Sequence, residues 1–351
     1  MANILELFNA KTTLDYIQGR EFQTYNEGEA LFPEQKFDTL EFDYFVGAND
    51  MPVAAKIHAF DTEAEIGSLE AFKQALEAAY IKKKYQITEK DLIALRQPMS
   101  ERSREMLTTR IFNVLEKAVA DVRSTVEIMR MQAVANGQLD LEVYTANGTP
   151  ATLTLDYGVP ANHKEVLAGL DTWDNPTADI LGDIQRWADT LDVRPTRAIT
   201  SRKVLGLIMK NQNVVNALYG TGATRIATPG DLNLYLQGIG LPQVFAYAAD
   251  AGQNYSYRKQ AADGTYTTVP YFPENKFVLL PPNALGQTLY GPTPDEGDLI
   301  DEGKITEFTG NVIGYYYKSN QDPIGTWAKA ASTAIPSFPE AGNVFQAQVT
   351  A

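Results

Sequence analysis

The sequence predicts an α+β protein with one unusually long helix, a strand hairpin after it and a mixed α/β lobe beyond. Three observations carry that expectation. Residues 101–136 run without a glycine or proline, residues 139–157 alternate in hydrophobicity around Asn147-Gly148, and from residue 171 short helical patterns interleave with strands.

In chain order, the first fifty residues hold turn formers (Gly28, Pro33, Gly47, Asn49-Asp50) and spread aromatics (Phe22, Tyr25, Phe32, Phe37, Phe42, Tyr44, Phe45). Such a segment fits an extended arm lying on other surfaces, or an irregular N-terminal part of one core. Residues 52–60, PVAAKIHAF, read as a strand, and residues 85–96 begin as another. Between them Ser68 suits the N-cap of a helix reaching about Lys82, with Leu69, Phe72, Leu76, Ala79 and Tyr80 on one face. The run Lys82-Lys83-Lys84 then fits a helix C-terminus, where positive charge is favoured.

The strongest signal follows. Pro98 and Ser100 mark a start and Gly137 a stop, and Leu107, Ile111, Val114, Ala118, Val122, Val126 and Met129 recur every three or four residues. Lys117–Asp121 and Arg123–Glu127 have the spacing of i,i+4 pairs on a polar face. A helix of this length spans about 50 Å and suits a strut. Its stripe keeps no strict heptad, which argues against a free coiled coil.

Beyond the hairpin, Asn175-Pro176 opens a helix carrying Ile180, Leu181, Ile184, Trp187 and Leu191, and a strand is expected at 197–200. Helices are expected over 204–209 and 214–219, and Thr228-Pro229 opens another that ends near Gly238 or Gly240. Strands are expected at 243–247, 266–269, 276–280, 310–317 and 344–349.

Composition narrows the function. The 351 residues are 44% hydrophobic, enough for a sizeable core, and carry a formal net charge of −14, which disfavours a phosphate-gripping surface. With no cysteine, disulfides, thiolate metal sites and cysteine nucleophiles are excluded. The N-terminal residues lack an apolar signal segment, and no run reaches membrane-spanning length. His58 and His163 sit apart, in no metal-binding or nucleophile-activating spacing, and read as ordinary surface or interface residues. Gly220-Thr221-Gly222 is no phosphate loop. The acidic run Asp295-Glu296, Asp298 and Asp301-Glu302 reads as a solvated loop. Tyr315, Tyr316 and Tyr317 alternate across a strand, so they form no single stacking platform. No catalytic residue, metal site or cofactor is expected, and the chain does not read as an enzyme.

Four segments resemble the major capsid protein E family of lambda-like tailed bacteriophages. They are MRMQAVANG at 129–137, FPENKFVLLP at 272–281, GQTLYG at 286–291 before an acidic run, and DPIGTWAKAASTAIPSFPEAGNVFQAQV at 322–349. The resemblance implies the tailed-phage major capsid fold. Residues 1–36 would be an N-terminal arm, 37–97 an E-loop built as strand–helix–strand, and 98–170 a peripheral domain whose spine helix is 101–136. Residues 171–305 would form an axial α/β domain and 306–351 the return to the peripheral domain. The segment 68–84 departs from the plain loop of the lambda type. Ile57, Phe60, Leu69 and Phe72 are the candidate intersubunit contacts, with an apolar face that needs cover from a neighbour.

The resemblance further implies hexamers and pentamers tiling an icosahedral shell around double-stranded DNA, without sequence-specific binding. Scaffolding protein, portal and a decoration protein are the implied partners, with no membrane. Localisation would be the virion capsid, assembled in the host bacterial cytoplasm. Two alternatives stay open: an encapsulin-like compartment, and a soluble hydrolase built on paired carboxylates.

Overall fold

A computed structural model describes residues 26–46, 72–87, 90, 93, 100–144, 150–249, 253–261, 264–301, 311–319 and 325–350. Helix α1 (Asn26–Leu31) leads to strand β1 (Glu34–Lys36), and β2 (Glu41–Val46) and β3 (Phe72–Glu77) form an antiparallel two-stranded ribbon. Strand β4 (Ala79–Ile87) follows, then helix α2 (Glu101–Asn136) and a hairpin of β5 (Gln138–Tyr144) and β6 (Pro150–Asp156). After β7 (Lys164–Val166) come α3 (Ile180–Thr190), β8 (Arg197–Thr200), α4 (Arg202–Lys210), α5 (Gln212–Tyr219), α6 (Pro229–Gly238) and β9 (Gln243–Ala246). The remaining elements are β10 (Ser256–Gln260), β11 (Tyr266–Pro270), β12 (Lys276–Leu280), β13 (Thr288–Gly291), α7 (Pro294–Asp301), β14 (Ile313–Ser319), β15 (Gly325–Pro336) and β16 (Phe345–Gln348).

The expected long helix is one unbroken element of 36 residues. Ile111, Ala118, Val122, Val126 and Met129 of its stripe are buried, and Leu107 and Val114 pack beside them. Towards its end the helix is enclosed on every side, with Met131, Ala133, Val134 and Ala135 all buried. Its last carbonyls therefore need protein partners. Gly137, at φ +69, turns the chain and donates its N–H to Ala133 O at 2.9 Å. The Gln346 amide donates to Val134 O at 2.7 Å, closing the end from β16.

Two five-stranded sheets use this helix differently. The first has the order β1-β13-β15-β14, with β4 on the other side of β15. Leu115, Ala118, Val119 and Val122 of α2 pack there against Ala328 and Ala330. The second sheet, β7-β16-β12-β8-β9, carries α3 to α6 and forms the lobe. Strand β12 is buried on both faces. Phe277 and Leu279 join the lobe core, while Val278 and Leu280 face the core around the end of α2. That double burial explains why Phe-Val-Leu-Leu is apolar without alternation.

Several expectations are corrected. The helix expected from Ser68 to Lys82 is absent over 72–82, where β3 and β4 lie instead. A period of two runs through β4 instead: Ile81, Tyr85 and Ile87 pack against α2. Nine residues of long-range pairing with β15 decide between the two periods. Lys82, Lys83 and Lys84 are thus exposed mid-strand residues rather than a helix end. The strand expected from 85 stops at Ile87, and Lys90 and Ile93 are helical. Helix α3 begins at Ile180 under an Asp179 cap, four residues later than Asn175-Pro176 suggests. The strand expected at 52–60 and the Asn147-Gly148 turn lie outside the described residues.

Residues 26–36, placed in the arm by sequence, pack on the chain's own core. Phe32 is buried edge-on to Phe338, their rings 5.8 Å apart, and β1 pairs in parallel with β13. His163 is buried beside Phe345 rather than at the surface, and burial lowers its pKa. Residues 294–301 are helical, and Asp295 is buried rather than solvated.

Candidate functional site

Of the four candidate contact residues, Ile57, Phe60 and Leu69 lie outside the described residues. Phe72 opens β3 opposite Val46, the pairing continues past Glu41–Glu77 where Ala78 N–H donates to Leu40 O at 3.0 Å, and Phe42 packs into the core around the end of α2. Among the described residues the ribbon forms a sheet of its own, pairing with neither main sheet.

Two polar clusters fasten distant segments to the first sheet. In one, Arg130 is buried and donates to Glu34 at 2.9 Å and to the Thr288 hydroxyl at 2.8 Å. Burial pushes the Glu34 carboxyl up, but Arg130, Asn311 and Tyr290 together outweigh it and hold the group below the usual carboxylate range. Glu127, expected to pair with Arg123 on a polar face, is instead fully buried, facing Arg130 at 3.5 Å and the Tyr247 hydroxyl at 2.9 Å. In the other cluster, Asp295 accepts Tyr80 at 2.9 Å, Tyr315 at 3.1 Å and Lys329 at 2.6 Å. Helix α7 is thereby pinned to β4, β14 and β15. Burial, then the Asp295 contact, raises the pKa of Tyr80 and Tyr315.

A cleft of about 260 Å³ lies between Ser201, Arg202, Tyr247, Tyr255, Phe272 and Glu274. Its polar groups serve the fold: the Ser201 hydroxyl donates to Glu274 O at 2.8 Å, and Arg202 donates to Ala248 O while its guanidinium lies over the Tyr255 ring. Among the described residues Glu274 is the one carboxylate lining it, so paired acids of the kind the hydrolase alternative needs are not among them there. Among the described residues no group of three His, Asp or Glu is arranged to hold a metal ion. No helix among them is long and apolar enough to cross a membrane.

Such an arrangement anchors distant segments to the first sheet and offers no catalytic constellation among the described residues. The model of the phage major capsid protein E family matches residues 13–349. The chain belongs to that family. It is a major capsid subunit, a structural component of the virion capsid, with the tailed-phage capsid fold. A prophage protein of Escherichia coli CFT073, assigned as a capsid protein, has a similar structure. Its TM-score is 0.63 at 14% identity, covering 97% of this chain and 99% of that one. A phage-related protein of Bordetella bronchiseptica RB50 gives a TM-score of 0.50 at 12% identity, covering 97% of both chains. At these identities the likeness speaks for the fold alone. No curated protein matches the chain in sequence.

On this capsid subunit the sequence reasoning missed a set of exposed apolar side chains on the lobe. Leu170 is 81% exposed, Leu234 72% and Val166 66%, and Phe245 protrudes from the edge strand β9. No local pattern separates them from core residues: Leu234 lies between the buried Leu232 and Leu236 of one helix, and only the packing of α6 turns it outwards. Buried Glu127 and Asp295 were missed for the converse reason. Their partners lie 120 and 215 residues away, at Tyr247 and Tyr80.

Proposed function

We propose that copies of this capsid subunit form hexamers and pentamers that tile an icosahedral shell around the double-stranded DNA genome of a tailed phage. The observation that carries this reading is the family match over nearly the whole chain, 13–349. The β2–β3 ribbon, which among the described residues pairs with neither main sheet, is consistent with it. Residues 37–97 act as the E-loop, and Ile57, Phe60, Leu69 and Phe72 form the face that a neighbour covers. Residues 1–36 start the arm, 98–170 and 306–351 form the peripheral domain, and 171–305 the axial domain. Each contact is modest. At roughly 25 cal/mol per Å² of apolar surface, small patches repeated over several neighbours add up to a stable shell that can still rearrange.

Assembly takes place in the host bacterial cytoplasm, with a separate scaffolding protein, a portal and a decoration protein as partners. The subunit has no enzymatic role. It confines DNA by closure: a net charge of −14 works against phosphate binding, and the single lysine triplet is too short to form a groove. Electron microscopy of the expressed chain tests the reading, beside a variant carrying Ile57→Asp and Phe60→Asp. Closed particles are expected from the natural chain, and folded but unassembled subunits from the variant. Normal particles from the variant would remove these residues from the interface.

A further inference from the structure

Helix α1, strand β1, helix α2 and the turn after β9 converge on one buried cluster of charge. Arg130 divides itself unequally between two carboxylates, 2.9 Å from Glu34 and 3.5 Å from Glu127. Glu34 also accepts the Asn311 amide at 2.6 Å and the Tyr290 hydroxyl at 3.0 Å. Among the described residues the donor closest to Glu127 is the Tyr247 hydroxyl at 2.9 Å. Glu27, on α1, adds like charge from the same side. The other titratable groups around the cluster are Arg123 on α2, Tyr271 after β11 and Tyr290 on β13. One guanidinium therefore serves two carboxylates, and Glu34 has the better share. A fully buried carboxylate so weakly compensated is more stable when neutral.

The seam against α1 is tight. Gly28 lies so close that any Cβ there would overlap the Glu127 carboxylate. Glu27 in turn accepts the N–H of Ala248 at 3.1 Å, holding that residue at φ +50, where a side chain is disfavoured. The same few atoms join α1, α2 and the start of the lobe's outgoing loop.

We propose that Glu127 is a buried proton site that latches α1 and the Tyr247–Ala248 turn onto α2, closing the seam when protonated and opening it when ionised. The six-residue helix α1 is the element that yields, because α2 is enclosed by both cores. Burial, opposed in part by Arg130 and Tyr247, pushes the Glu127 carboxyl up to about 8. The sign follows. The folded state holds a proton that the unfolded chain has released, so this group's contribution falls as pH rises from its ordinary value of 4.5 through about 8 and levels off above. The folding equilibrium loses up to about tenfold per pH unit in that window from this group.

Hydrogen exchange of the full-length subunit at about pH 6.5 and about pH 9, corrected for intrinsic rates, tests the latch. Peptides covering 26–36 and 246–249 should lose about tenfold or more of their protection at the higher pH, relative to β12. In Glu127→Gln, protection should be equal at both. Protection independent of pH in the natural chain, or a variant that opens as the natural chain does, would overturn the proposal. Should the variant fail to fold, infrared spectroscopy of the natural chain decides. A protonated-carboxyl band at neutral pH that vanishes by about pH 9 is expected, and its absence at neutral pH sinks the idea.

Discussion

In the lobe, Trp173, Trp187, Phe277 and Phe345 pack with neighbouring ring centroids 4.9 to 6.0 Å apart, whereas α2 meets its sheet across Ala118, Ala328 and Ala330. Aromatic side chains fill a core from few positions, and their indole N–H groups must find acceptors. Here they do: Trp173 donates to Asp183 at 3.0 Å and Trp187 to Glu165. Alanines do the opposite. They fill little, but let a long helix approach a strand closely along its length. The lobe is thus filled by a few large side chains, and the helix–sheet body by the fit of two extended surfaces.

The two designs should fail in opposite ways. Trp187→Ala removes a ring from the aromatic stack and should cost the lobe about 3–5 kcal/mol, read as a lower denaturant midpoint. A loss well under that range would mean that the stack collapses around the gap. Val122→Pro removes a backbone donor in the middle of α2 and should cost about 3 kcal/mol or more. Closed particles should disappear in micrographs; normal ones would show that the helix need not be continuous. Ala330→Leu adds volume where there is no room and should cost about 1–3 kcal/mol by overpacking. Its thermal midpoint should fall although the residue becomes more apolar, and an unchanged midpoint would show slack between α2 and β15.

The same contrast decides what could be read from sequence. Lobe helices carry their own start signals: Asp179, Ser201, Asn211 and Thr228 each accept a backbone N–H of the helix they precede. Of these signals only Thr228, before Pro229, enters the sequence reading, although the helices over 204–209 and 214–219 are also expected close to where they lie; α2 is legible from its stripe and its missing breakers. The strands of the body have no such local marks. Strand β15 reads GTWAKAASTAIP, rich in a residue with little strand preference, and only the family resemblance placed a strand there. It is a strand because β14 pairs with it, and β4 and β13 pair with it from 40 or more residues away. The buried cluster was hidden for a related reason. Glu127 stands four residues from Arg123, which suggests a surface pair, and only tertiary packing gives it Arg130 and Tyr247 instead.

Strand β4 offers one long side of its backbone outward, since among the described residues β15 alone pairs with it. A nine-residue open edge is a template on which a second copy could continue the sheet, and each addition would expose a fresh edge. Growth of that kind never closes; it yields fibres. Lys82, Lys83 and Lys84 stand along this edge, with Lys84 4.6 Å from the Trp327 ring and Lys82 5.1 Å from Tyr80. Two such edges brought together would set four ammonium groups on one face, from Lys82 and Lys84, and two on the other, from Lys83. A shell subunit must choose between closed and endless polymers, and these three lysines bias that choice. Their repulsion reaches only about 8 Å at physiological ionic strength, so concentrated salt is where fibrous by-products should first appear.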